Sequence, residues 1–254
     1  MKTFDTALGV LALLSATTAL AAPDKSVEIV DKGKGYSFEY NYPGVVRQFP
    51  ALEAKLLSEK DAQLAELKEW GAEWATENPD RAADTDMELR INWLTVADVP
   101  RFLSLTIDEW SYTGGAHGNW GRGSLIWNKQ TSAKLAPIAM FSSKEAFDKV
   151  VQTPFCDKLD IERSKKRDGE KVDRSQTDDW MQACPKPSEL TVILGSSNGR
   201  TFNRLAIYAG IYSVGPYVEG DYEIDLPVNA KLIAAVKPAY RSYFTPSPTG
   251  SKKR

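Results

Sequence analysis

The chain of 254 residues has one histidine, His117, and two cysteines, Cys156 and Cys184, so its catalytic repertoire is narrow. A zinc hydrolase needs about three protein ligands, usually including histidine, plus an open position. One imidazole and two cysteines that pair by default in an oxidising compartment do not supply that set, and we expect no metal and no cofactor. A Ser-His-Asp triad needs only one histidine, but no Gly-x-Ser-x-Gly elbow appears. Gly195-Ser196-Ser197-Asn198-Gly199 reads instead as a hairpin built on Asn-Gly. Paired carboxylates could serve a glycosidase. By type alone the candidates are Asp108 with Glu109 and Glu219 with Asp221, pairs that chance also produces among 34 acidic residues. These residues assign no catalytic group and point to a non-enzymatic protein.

Two loops remain as candidate sites. His117 lies in Tyr112-Thr113-Gly114-Gly115-Ala116-His117-Gly118-Asn119, where small residues allow positive φ and the close approach of another group. Gly215-Pro216-Tyr217-Val218-Glu219-Gly220 is a second glycine-bracketed loop that carries an aromatic. We expect the two loops to meet and to form one contact surface. Its residues would be Tyr112, Gly114, Gly115, His117 and Asn119 from the first, and Tyr217, Glu219 and Asp221 at the second. Two readings stay open for both His117 and Tyr217, a side chain that fixes its own loop or one that meets a ligand; catalysis is a third for His117.

The N-terminus carries an address. Lys2 precedes an apolar run from Leu8 to Leu20, and Ala19-Leu20-Ala21 reads as a cleavage site. Residues 1–21 are expected to be a signal peptide, too short to span a bilayer, which takes about 20 apolar residues. No Cys follows the site to take a lipid anchor. The processed protein is expected to be periplasmic or secreted, with no membrane span, and there Cys156 and Cys184 should form a disulfide. Charge balances at 32 basic against 34 acidic residues, which excludes a nucleic-acid-binding bias. Lys165-Lys166-Arg167 and Lys252-Lys253-Arg254 read as solvated surface.

Strands are expected over 26–30, 36–42, 87–96, 101–112, 123–128, 190–194, 201–208 and 221–226, several of them showing alternation of period two. Leu103, Leu105 and Ile107, for example, alternate with Ser104, Thr106 and Asp108. Helical spacing of Leu57, Leu64, Leu67, Gly71 and Trp74 predicts a long helix from Pro50 to Glu77, with Trp70 and Trp74 packing on a sheet. A second helix should start after Ser143 and break or kink at Pro154. Shorter helices are expected over 175–183 and from Asn229 to Val236. Runs of strands separated by helices indicate an α+β fold, mainly antiparallel sheets packed with helices in two closely associated lobes. We place the lobes at 22–135 and 136–244, with a disordered tail at 245–254.

At the two loops the sequence resembles a known family. Tyr112–Asn119 (YTGGAHGN), Tyr208–Ile224 (YAGIYSVGPYVEGDYEI) and Ala239–Phe244 (AYRSYF) resemble the extracytoplasmic module shared by the RsiV anti-sigma factor and the PdaC deacetylase. The likeness spans about residues 30 to 244, PdaC-like in the first lobe and RsiV-like in the second. It implies α+β architecture and a cell-envelope location. The module binds lysozyme in RsiV and accompanies a peptidoglycan deacetylase domain in PdaC. Neither a sigma-binding segment nor a catalytic domain with a His/Asp zinc set is visible here, so the resemblance implies the accessory module alone. The expected function is recognition of a lysozyme-like protein or a peptidoglycan component. The alternatives are a peptidoglycan-directed hydrolase using His117 with a carboxylate, and a structural envelope factor.

Overall fold

The computed structural model describes residues 25–80 and 87–248; the leader expected at 1–21 lies outside them. A six-stranded sheet has the order β1 (Val27–Gly33), β2 (Tyr36–Tyr42), β3 (Met87–Asp98), β4 (Phe102–Tyr112), β5 (Asn119–Asn128) and β6 (Ala133–Leu135). Its pairs are antiparallel except β2 with β3. That parallel pair needs a crossover, and α1 (Pro50–Glu77) supplies it, with Pro50 in its first turn as expected.

Alternation along the strands sends Phe38, Tyr40, Ile91, Trp93, Leu103, Leu105, Leu125 and Trp127 to one face, where they bury against Leu52, Leu56 and Leu67 of α1. Gly71 lets the helix close on the β1–β2 turn, since a Cβ there would lie 2.7 Å from the Gly35 carbonyl oxygen. Trp74 packs against this cluster. Trp70, also expected in the core, is 45% exposed, because one residue before Gly71 it is turned about a quarter of a circle off the buried stripe.

The second sheet comprises β7 (Thr191–Gly195), β8 (Arg204–Ala209) and β9 (Tyr222–Pro227), antiparallel and in that order. Val192, Leu194, Leu205, Ile207, Ile224 and Leu226 pack with Phe147, Val151, Phe155 and Leu159 of α2 (Lys144–Lys166). Ser143 caps α2 as expected, its hydroxyl accepting from the Ala146 amide. A short α3 (Ala230–Ala235) follows β9, capped by the Asn229 side chain. On its other face the sheet presents Ile193, Ala206 and Tyr208 toward Val96 of β3.

The two lobes share structure along this contact. Ser124 donates to the Val192 carbonyl at 2.7 Å and Thr191 to the Arg122 carbonyl at 2.8 Å. Phe102 and Ile126 of the first sheet belong to the second lobe's core. The layers run α1, six-stranded sheet, three-stranded sheet, α2, an α+β fold.

Several local expectations change. Pro154 lies inside α2 without ending it; the helix buries an apolar face on both sides of it, which offsets the roughly 3 kcal/mol a helical proline costs. Residues 175–183 form turns rather than a helix, because the Asp173 and Asp179 side chains accept from the amides of Ser175 and Met181 and so compete with helical bonding. The expected hairpin at Asn198-Gly199 joins the antiparallel β7 and β8, through a connection longer than two residues. Asn198 accepts from the amides of Arg200 and Thr201 there. Strand β5 begins at Asn119 rather than residue 123, and β6 had no expected counterpart. Cys156 and Cys184 form the expected disulfide. At the expected tail, the Ser247 amide donates to the Val228 carbonyl and its hydroxyl to that of Asn203, so the chain is tied down as far as Ser247. Among the described residues no helix is long and apolar enough to cross a membrane.

Candidate functional site

The face of the six-stranded sheet away from α1 turns polar at one end. Strand registers put Arg90 opposite Trp110 and Trp110 opposite Trp120, and in the next row Asn92 opposite Asp108 and Asp108 opposite Arg122. Each strand contributes a pair two residues apart, so all six side chains share a face. Tyr208 and Asp221 of the second lobe complete the walls of an open cleft of about 290 Å³ between the sheets.

Cations in the cleft are matched by carboxylates. Arg122 donates from Nε and Nη2 to the two Asp108 oxygens at 2.6 and 3.0 Å and from Nη1 to Glu223. The hydrogen bonds to Asp108 hold the guanidinium pKa above its ordinary value despite burial. It lies 5.4 Å over the Tyr208 ring. Arg90 lies 4.5 Å over the Trp110 ring and donates to Glu88 at 2.6 Å. Burial, then the hydrogen bond with Asp221, pushes the Tyr208 hydroxyl above the usual phenol range.

The two loops meet at the rim of this cleft. Tyr217 donates its hydroxyl to the Gly118 carbonyl at 2.7 Å, and His117 stacks on the Tyr217 ring at 3.9 Å and 28°. Trp120 meets the same ring edge-on at 5.1 Å, and Tyr212 lies 5.7 Å away. The exposed His117 places Nδ1 3.0 Å from the Gly118 carbonyl oxygen. Tyr112 shapes the loop by donating to the Gly115 carbonyl at 2.9 Å. Gly114 has φ +82° and lies on the Trp74 ring. A Cβ on Gly118 would sit 2.6 Å from Trp110. Asn119 is exposed and pairs with Ser111 at the start of β5.

One expected contact residue faces the other way. The Glu219 side chain is 8% exposed and accepts from Arg167 Nε at 2.8 Å and Nη2 at 3.1 Å, and from the Tyr222 hydroxyl. Burial raises its pKa, but these hydrogen bonds outweigh burial and leave it below the ordinary carboxylate value. A Cβ on Gly215 would lie 2.1 Å from Glu219 Oε2, so the first glycine of this loop makes room for the carboxylate. Glu219 cannot steer a partner by its charge; its place is to anchor the loop that carries Tyr217. Asp221, two residues on, does line the cleft.

The His117 ring is thus held by Tyr217 and, through Nδ1, by a backbone carbonyl. Among the described residues no group of three or more His, Cys, Asp or Glu is placed to hold a metal. Of the two carboxylate pairs noted in the sequence, Asp108, Glu109 and Asp221 line the cleft and Glu219 does not; Asp108 is engaged by Arg122 and Asp221 by Tyr208. Attention to the loops alone missed Arg90, Asn92, Trp110, Trp120, Arg122 and Tyr208. For β4 and β5 the sequence signal was a charged residue two from a tryptophan, Asp108 with Trp110 and Trp120 with Arg122; Arg90, Asn92 and Tyr208 carried none.

Residues 29–120 match the family model described as deacetylase PdaC, a segment running from β1 through the histidine loop to Trp120. No curated protein matches the chain. A crystal structure of a DUF3298 family protein from Pseudomonas aeruginosa is 16% identical, over 87% of this chain and 97% of that one, with a TM-score of 0.46. A DUF3298 family member from Bacteroides fragilis is 14% identical, over 80% of this chain and 88% of that one, with a TM-score of 0.51. The chain therefore combines a segment that matches the deacetylase PdaC family model with a fold similar to that of a DUF3298 family protein.

Proposed function

We propose that this is an exported, non-enzymatic binding protein of the cell envelope, and that it recognises a peptidoglycan component where its two loops meet. The observation that carries this reading is Tyr217. It is fixed to the Gly118 carbonyl, faced by His117 and edged by Trp120, so a rigid aromatic strip borders an open cleft. Preformed aromatic surface beside a few fixed polar groups is what small-ligand sites use. Loops held on a rigid scaffold are a common seat for such sites.

Co-sedimentation of the oxidised chain, without residues 1–21, on purified peptidoglycan sacculi tests the reading. We expect retention that is lost in Tyr217→Ala with little change in melting temperature. No retention of the parent chain refutes it. A lysozyme-like protein is the second reading, favoured by Val218 and Tyr212, which are 89% and 52% exposed on either side of Tyr217. Calorimetric titration with a C-type lysozyme decides between them, since the first reading expects no heat of binding.

A further inference from the structure

We infer that the cleft between the sheets is a saccharide subsite that takes an uncharged pyranose unit of a glycan, a ligand class that rests on the envelope reading above and makes it specific. Trp110 and Trp120 stand side by side in register and line the cleft; Arg90 covers one face of Trp110, so the indole surface offered to a sugar ring is chiefly that of Trp120. The electron-rich face of an indole attracts the C–H hydrogens that line one side of a sugar ring. In the adjoining row, Asp108 and Arg122 are locked together by two hydrogen bonds, and Asn92 lies opposite Asp108. These present fixed donors and acceptors in the plane where the ring's hydroxyl groups project. Asp221 and the Tyr208 hydroxyl supply the facing wall.

The charge pattern narrows the class. Arg122 is matched by Asp108 and Glu223, and Arg90 by Glu88, and Asp108, Glu109 and Asp221 outnumber these two cations in the cleft lining, which disfavours a phosphate or a polyanion. Each Arg is also spread over an aromatic ring, which restrains the planar groups. The volume, about 290 Å³, falls just below the roughly 300–1,000 Å³ typical of ligand pockets, and suits one or two rings of an open chain. Beyond the cleft, Tyr217 and His117 continue the aromatic strip from Trp120, so a longer glycan would run out along the loops.

The test is titration of the full processed chain with the trimer of N-acetylglucosamine and with cellotriose, followed by heat and tryptophan fluorescence. At least one should bind. Trp110→Ala and Trp120→Ala should each weaken it by at least tenfold, Trp120→Phe should retain most of it, and millimolar inorganic phosphate should not compete. Binding of neither sugar, binding that both alanine variants leave intact, or displacement by phosphate overturns the inference. Sacculi retained by a chain that binds neither trisaccharide would remove the sugar subsite and leave the envelope reading. A trisaccharide bound without retention on sacculi would do the reverse.

Discussion

Glu219→Gln is the sharpest probe of how the recognition loop is held. The substitution keeps the size of the side chain and one oxygen to accept from Arg167 or Tyr222, but removes the charge that matches Arg167. The two side chains are 8% and 10% exposed, so the guanidinium would be left nearly buried without its counter-ion. Breaking a buried pair from one side costs about 3–5 kcal/mol; the retained hydrogen bonds favour the lower end. At about 2–4 °C per kcal/mol for a chain of this size, about 3 kcal/mol lowers the melting temperature by about 6–12 °C. The sign of the pH dependence follows from the lowered pKa of Glu219 in the folded state. Its stabilisation is fully present above the unfolded value, near pH 4.3, and is lost as pH falls through the folded value. Scanning calorimetry from pH 7 to pH 3 should therefore show the gap between parent and variant narrowing below about pH 4.5. Adding Arg167→Gln should recover part of the loss. A gap under 1 kcal/mol at pH 7, or one that stays constant down to pH 3, refutes the anchoring role.

The remaining predictions concern the staple and two close approaches. Cys156→Ala with Cys184→Ala opens a loop with a separation of 28 residues and should cost about 3–4 kcal/mol on the chain-entropy estimate; an unfolding free energy from denaturant titration lowered by less than a third of that would rule the estimate out. Gly118→Ala places a methyl group 2.6 Å from the Trp110 ring, so the indole must move. A changed tryptophan emission should accompany at least tenfold weaker trisaccharide binding, and unchanged emission would contradict the packing described. Gly71→Ala should gain about 1 kcal/mol in helix propensity but loses more, about 1–3 kcal/mol, to crowding, since its Cβ would meet the Gly35 carbonyl oxygen at 2.7 Å. We expect a lower melting temperature; a higher one would mean that the helix slides away from the turn at little cost.

What the sequence disclosed and what it hid divide along physical lines. Helix α1 was legible to the residue because Pro50 fixes its first turn and Asn78-Pro79 its end, both local constraints. The α+β class was legible because strand alternation reports a buried face whichever element covers it. The meeting of the loops was an inference from glycine bracketing, and the Tyr217–Gly118 hydrogen bond gives it a mechanism. Glu219 misled for an instructive reason. A carboxylate between an exposed valine and a glycine looks solvated, and only Arg167 at the end of α2, with Gly215 leaving a space, turns it inward. The cleft stayed hidden because alternation assigns Arg90, Asp108, Trp110, Trp120 and Arg122 to a face without saying that the face is left open. In ordinary sheet packing, two tryptophans paired across strands would be core. Here the second sheet covers Val96 and Ser124 and reaches the next rows through Thr191, Tyr208 and Glu223, and the space left between the sheets is the proposed site. Specificity should therefore follow the angle between the sheets, which Arg122 helps to set by bonding Asp108 on one and Glu223 on the other.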